Sequence, residues 1–285
     1  RHVVTHTSGL AHKPAGGVLA RQRDRLAYVR ALPIETEPGE IFSYNNEATE
    51  LLSGVVTAAA HEPLDTYLKK RFFDPLGISD FGWRRDAAGN TLASEGLSLS
   101  AIDLAKVGIL LRDGGRWNEA QVVPTSWLAH MQEPVEKAPW HGALTWLLQD
   151  GPWQVQSADR RAALAAEGFT AETKLAPLDG KKFVSRAAYW MEAGVLLAPA
   201  EREALGRLIR DDLLPIGSIE SKLVGFNFNG WLGQYLVVYP RAGIVAVRQR
   251  QEPENVTDDD NKKIGMRNFA DLLRAALPHD ISLSP

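Results

Sequence analysis

Tyr44-Asn45-Asn46 stands between a Pro38-Gly39 turn and a strongly patterned helical segment. A phenol beside two carboxamides at the start of a helix can move a proton and hold a carbonyl or an amide. A plain connector needs only a helix cap there, and either Asn45 or Asn46 would serve as one. The tyrosine before the cap has no such duty. Free tyrosine titrates near pH ~10, so a tyrosine base at neutral pH needs its phenolate favoured by ~3 units, about 4 kcal/mol. A lysine ammonium in a dry cleft is one source of that stabilisation. On composition alone, a packed aromatic beside a cap is the commoner explanation.

Other chemistries are poorly represented. The chain has no G-x-S-x-G, H-E-x-x-H, Walker or G-x-G-x-x-G pattern. Its seven histidines never fall at ligand spacing, and Asp258-Asp259-Asp260 reads as a solvated loop, so no metal is expected. There is no cysteine, which excludes disulfides and thiolate chemistry and leaves the compartment open. A net charge of −3 and a pI near 6.2 argue against nucleic acid as a partner. No apolar run reaches the length of a membrane span. Arg21, Arg23, Arg25 and Arg30 read as a solvated helix face.

The elements that must position Tyr44 come next. Residues 47–60 predict a helix with Ala48, Leu51, Leu52, Val55, Val56 and Ala59 on one apolar face. A second helix is expected over 64–73. Ser100 reads as the N-cap of a third over 101–112, and Pro124 as the first residue of a short fourth. Residues 199–214 predict a helix burying Leu205, Leu208, Ile209 and Leu213. Segments 231–239 and 244–250, joined by Pro240-Arg241-Ala242-Gly243, form the clearest hairpin, and 261–277 a terminal amphipathic helix. Residues 150–185 give no clear assignment. A lone hairpin is marginal in water, so further strands must come from 140–197 or from upstream. The pattern is that of an antiparallel sheet packed by helices.

Five segments in order carry a resemblance. Thr5-His6-Thr7-Ser8-Gly9-Leu10, Pro38-Gly39 with Phe42-Ser43-Tyr44-Asn45-Asn46, and Phe72-Phe73-Asp74-Pro75-Leu76-Gly77-Ile78 are three of them. Glu95-Gly96-Leu97-Ser98-Leu99-Ser100 with Asp103-Leu104-Ala105, and Gly230-Trp231-Leu232-Gly233-Gln234 with Val237-Val238-Tyr239-Pro240, complete the set. Together they resemble the serine β-lactamases, penicillin-binding proteins and their class C β-lactamase-like esterase relatives. The resemblance implies one α/β (α+β) domain over 1–285 of the β-lactamase/transpeptidase-like fold. Its antiparallel sheet is flanked by helices beside an all-α lobe, with about 1–135 mostly helical and 186–285 carrying sheet and C-terminal helix.

It also implies chemistry. Tyr44 and Asn46 would be the first and third residues of the family's Tyr-x-Asn motif. Tyr44 would shuttle a proton between nucleophile and leaving group, and Asn46 would hold the substrate's carbonyl or amide. The family's nucleophile is the serine of Ser-x-x-Lys, upstream of the segment that begins this chain. No Ser-x-x-Lys occurs in the 285 residues, and the nearest pattern, Thr66-Tyr67-Leu68-Lys69, reads as structural. The serine and lysine are therefore expected on a missing N-terminal segment, present as a separate fragment or chain. The third motif, usually Lys-Thr-Gly or His-x-Gly, aligns with Phe228-Asn229-Gly230. Phe228 cannot pair with a carboxylate, so an ester or uncharged amide fits better than a β-lactam or D-alanyl peptide. Trp231 is the favoured acyl-pocket aromatic over Trp146 and Trp190, its backbone N–H a candidate oxyanion donor, and Ser98 reads as a turn or cap. The expectation is a serine hydrolase acting through an acyl-serine without cofactor on a small ester, amide or β-lactam. β-Lactamase and D-alanyl-D-alanine carboxypeptidase are the alternatives within that class, and a catalytically inactive binding or remnant protein the alternative outside it.

Overall fold

The computed structural model describes residues 1–12, 17–150, 153–154, 164–166, 168–183, 186–210, 217–218, 222–250, 269–277 and 281. By compactness the chain divides into two units, Arg1–Leu148 with Gly225–Arg267, and Gln149–Val224 with Asn268–Pro285. Among the described residues no helix is long and apolar enough to cross a membrane.

The main sheet has the strand order Ile244–Arg248, Gln234–Tyr239, Lys222–Gly230, Trp146–Asp150. The hairpin forms as expected, with Tyr239 opposite Ile244 and the chain reversing through Pro240 to Gly243. Residues 231–233 form a 3-10 turn and not the start of the strand. The long strand Lys222–Gly230 was not expected. Gly225, Asn227 and Asn229 weaken its local preference, and pairing along Gln234–Val238 supplies what propensity lacks. Trp146–Asp150 is a strand from within the 140–197 window.

The helix Ala101–Arg112 packs on this sheet. Its N-terminus is fixed where expected, Asp103 N–H donating to Ser100 Oγ at 3.0 Å. Leu104, Val107 and Leu111 meet Phe226, Leu236, Val238 and Val245, each such side chain contributing about 1.5–3 kcal/mol when fully buried. A Cβ at Gly108 would strike Val245 and Leu236, so glycine sets how closely the helix approaches. Leu110 turns the other way, onto Phe73, Leu76 and Ile78. The helix over Leu64–Leu68 widens into a π turn over Lys69–Phe73, and Pro124 precedes the helix Thr125–Met131 as its cap.

Two expectations about burial are corrected. The helix Asn46–Ala60 buries Glu47, Ala48, Thr49, Glu50 and Ser53, while Val55 is 60% exposed. Apolar periodicity selected the wrong face, because the buried carboxylates have partners. Glu47 meets His12 at 2.5 Å, and Glu50 accepts from Ala93 N–H at 2.9 Å and Ser94 Oγ at 2.5 Å. Arg25 is the second correction. Arg21, Arg23 and Arg30 are exposed, but Arg25 is buried, reaching Glu50 at 3.3 Å and Glu95 at 2.9 Å.

The second unit has its own core, built on Leu164, Leu175, Tyr189, Ala193 and Leu205. Helices Arg186–Leu196, Pro199–Arg210 and Phe269–Ala276 accompany a small sheet of Trp153–Gln154, Lys182–Phe183 and Gly217–Ser218. Residues 258–260, 261–268 and Leu213, and the side chains of Leu208, Ile209 and Trp190, lie outside the described set.

Candidate active site

The first residues form a tight turn stitched to two later loops. His6 O accepts from Ser43 N–H at 2.8 Å, and Val4 O from Leu144 N–H at 2.8 Å. Gly9 has φ +69°, and any Cβ there would strike the Thr36 carbonyl, so the segment needs glycine. Gly9 O in turn accepts from Glu35 N–H at 2.7 Å.

The same contacts settle which asparagine caps the helix. Asn45 Oδ1 accepts from Ala48 N–H at 2.8 Å, and its Nδ2 donates to Leu10 O at 2.8 Å. Asn45 is buried and its carboxamide is spent on structure. Asn46, one position inside the helix, is exposed and free to face a ligand.

A cavity of about 170 Å³ opens above this helix start. Tyr44, Asn46 and Thr49 line one side, Phe228 and Asn229 another, and His6, Ala93, Ser94, His141, Leu144 and Trp146 complete it. Four of the six residues expected from the sequence thus share one space. Gly230 and Trp231 are not among its lining residues, and Trp231 is 57% exposed on its 3-10 turn. Ser98 pairs with Gly82 in a short exposed ladder away from the lining. Lys69 of the nearest Ser-x-x-Lys-like pattern is bound to Asp74 at 2.6 Å.

Tyr44 packs against two rings. His6 lies at 4.5 Å between centroids and Trp146 at 5.9 Å, tilted by 36° and 28°. His141 meets both His6 and Trp146 edge-on at 5.1 Å. His141 Nδ1–H donates to Gly142 O at 2.6 Å, which leaves Nε2 without its proton in the neutral ring. His6 Nδ1 accepts from Asn45 N–H at 3.1 Å, so its proton resides on Nε2.

Burial governs the charges here. It pushes His6 down to about 3, with the neighbouring His141 and His12 adding to the fall, and His141 down to about 4 against its bond to Gly142. Both rings are neutral at ordinary pH. Tyr44 keeps 45% of its surface exposed, yet the protein packed around it still raises its phenol above the usual value near 10. Among the described residues the lining has no lysine or arginine, so nothing in it favours a phenolate. The site as it stands holds a protonated tyrosine, two neutral imidazoles and the carboxamides of Asn46 and Asn229.

Sequence reasoning missed His6, Thr49, Ser94 and His141 as lining residues, and it ranked Trp146 below Trp231 as a pocket aromatic, whereas Trp146 lines the cavity and Trp231 does not. His6 had a signal, since it sits inside one of the five family-like segments. The place of Trp146 depends on the strand Trp146–Asp150 joining the sheet, which no local pattern reveals.

Solved structures share this fold. A 6-aminohexanoate-dimer hydrolase described as putative, from Bacillus anthracis, superposes with TM-score 0.59 at 15% identity, over 98% of this chain and 62% of its own. A putative β-lactamase from Bacteroides dorei DSM 17855 gives TM-score 0.53 at 15% identity, over 89% of this chain and 65% of its own. The chain therefore spans less than two thirds of the length of either structure, and at such identity the likeness is one of fold. No curated protein matches the sequence. The fold is β-lactamase/transpeptidase-like, and the sequence profile named Beta-lactamase matches residues 1–267. The chain belongs to the Beta-lactamase family.

Proposed function

We propose that these residues are the proton-relay and substrate-holding half of a serine hydrolase site. The observation that carries this is the single cavity lined by Tyr44, Asn46, Phe228 and Asn229, which lie far apart in sequence. In the complete site an upstream Ser-x-x-Lys supplies the nucleophile and an ammonium. As the serine oxygen attacks the carbonyl, its proton passes to Tyr44 and then to the leaving group, giving an acyl-serine. Water later reverses the step, with Tyr44 taking the water's proton and returning it to the serine. The ammonium also offsets the burial that holds Tyr44 protonated. Asn46 orients the substrate's carbonyl or amide, and a backbone N–H at the end of the Lys222–Gly230 strand is one oxyanion donor.

The absence of a cation from the described lining favours an ester or uncharged amide over substrates recognised by their carboxylate. The names of the two fold relatives point to an amide dimer and to a β-lactam, so fold alone does not choose between these classes. The test uses a longer chain that includes Ser-x-x-Lys, treated with a fluorophosphonate probe and weighed intact. One adduct is expected on that serine and none on residues 1–285, and Tyr44→Phe should lower kcat/KM about 10²–10⁴-fold with the fold unchanged. An unlabelled longer chain would favour the inactive, ligand-binding reading instead. An adduct on Ser94, whose hydroxyl lies against Glu50 in the cavity wall, would move the nucleophile into this chain and overturn the assignment.

A further inference from the structure

We infer that His6 is the positioning residue for Tyr44, gripping the backbone on both sides of it and supporting its ring. The residue before Tyr44 donates its N–H to the His6 carbonyl, at 2.8 Å, and the residue after it donates to His6 Nδ1, at 3.1 Å. The His6 ring lies against the Tyr44 ring between these two bonds. Three contacts from one residue thus fix the position of the phenol along the chain and its tilt. His6 reaches them only from a left-handed backbone, φ 53°, which few side chains adopt willingly.

The surroundings over-determine this geometry. His6 is 3% exposed and lines both the Tyr44 cavity and a second cavity of about 370 Å³ on the side of Ser8, His12 and Glu35. It is the partition between them. The groups facing it are His141 and Phe42 from their loops, Tyr44, and His12, which is itself tied to Glu47. His6 Nδ1 is the acceptor of Asn45 N–H, and that buried donor is costly to leave unmade. Only the neutral ring accepts. Protonation at Nδ1 would set donor against donor and release the loop.

That the phenol so held is the proton relay rests on the function proposed above, whereas the grip itself does not. The experiment therefore reads the grip without substrate. The chain is labelled with 13C at tyrosine Cζ, the Tyr44 signal is identified by its loss in Tyr44→Phe, and amide exchange is followed at Asn45. His6→Phe keeps a ring and removes the acceptor. It should speed Asn45 exchange about tenfold and lower the Tyr44 titration midpoint towards that of free tyrosine. His6→Asn tolerates the left-handed backbone and places an oxygen near the position of Nδ1, so it should restore both. If His6→Phe does not fold, His6→Ala read against His6→Asn gives the same contrast. Unchanged exchange and titration in a folded acceptor-less variant would overturn the inference, as would failure of Asn to restore them. A longer chain that stays unlabelled by the probe while these shifts appear would sink the hydrolase and spare the grip.

Discussion

The two walls of the Tyr44 cavity are made in different ways. The wall over residues 41–50 is irregular chain running into a helix start, and its buried polar side chains, Asn45, Glu47, Thr49 and Glu50, are all committed. Asn45 is bonded to His6, Leu10, Ala48 and Thr49, Glu47 and Glu50 are buried against His12 and Arg25, and His6 holds the backbone from behind. The wall over residues 226–229 is a regular strand whose register comes from pairing with Gln234–Val238, and what it shows the cavity is a phenylalanine and an asparagine. On the function proposed, the first wall places the proton relay, and it needs many local bonds because no repeating ladder fixes it. On the same proposal the second selects what the cavity accepts, and its side chains can change without disturbing the ladder.

If that division is right, damage to the first wall costs stability as well as chemistry. Glu50→Ala is the largest expected effect. It leaves the Arg25 guanidinium buried with only the half-exposed Glu95 and frees the N–H groups of Ala93 and Ser94. A loss of roughly 3 kcal/mol or more is expected in a urea titration. Full stability in that variant would mean the wall is less committed than its bonds suggest.

Acid should undo the same wall by degrees. His6 and His141 have folded values of about 3 and about 4, below the ordinary 6.5, so the unfolded chain takes up protons first as the pH drops. Above pH 6.5 both states hold neutral rings and stability is complete. Below it, each histidine removes stability at roughly 1.4 kcal/mol per pH unit until its folded value is reached. Thermal melting between pH 7 and 4.5 should show a steep fall that His6→Asn partly flattens. A flat profile for the unaltered chain would show that the rings charge without opening the loop.

The strand wall should respond more gently and in a different observable. Phe228→Lys in the longer chain should leave the melting temperature within a few degrees. It should raise kcat/KM for carboxylate-bearing substrates relative to neutral esters by about tenfold. The ratio of the two rates measures it, and an unchanged ratio would mean that Phe228 lines the cavity without selecting what enters.

Much of this was legible locally. Ser100 as a cap, the hairpin at Pro240–Gly243 and the helix Ala101–Arg112 each follow from residues within a few positions of one another. Tyr44 and Asn46 stood out once five separate segments were seen together, and both line the cavity. The chain could not say from pattern which asparagine caps and which faces the cavity, since both are good caps and the choice was made by Leu10, far upstream. It also misled about the helix Asn46–Ala60, where apolar spacing pointed away from the buried face. Periodicity assumes that burial is apolar, and a face with paired carboxylates breaks that assumption.

The sequence by itself determined the family, the local caps and turns, and the residue types that chemistry requires. Only the tertiary structure brought His6 and Trp146 against the Tyr44 ring and set Phe228 in the same cavity. The reason is one of range. Caps and turns are decided by neighbours along the chain, whereas stacking, buried ion pairs and strand pairing depend on segments that meet only when the whole sheet and its helices have closed.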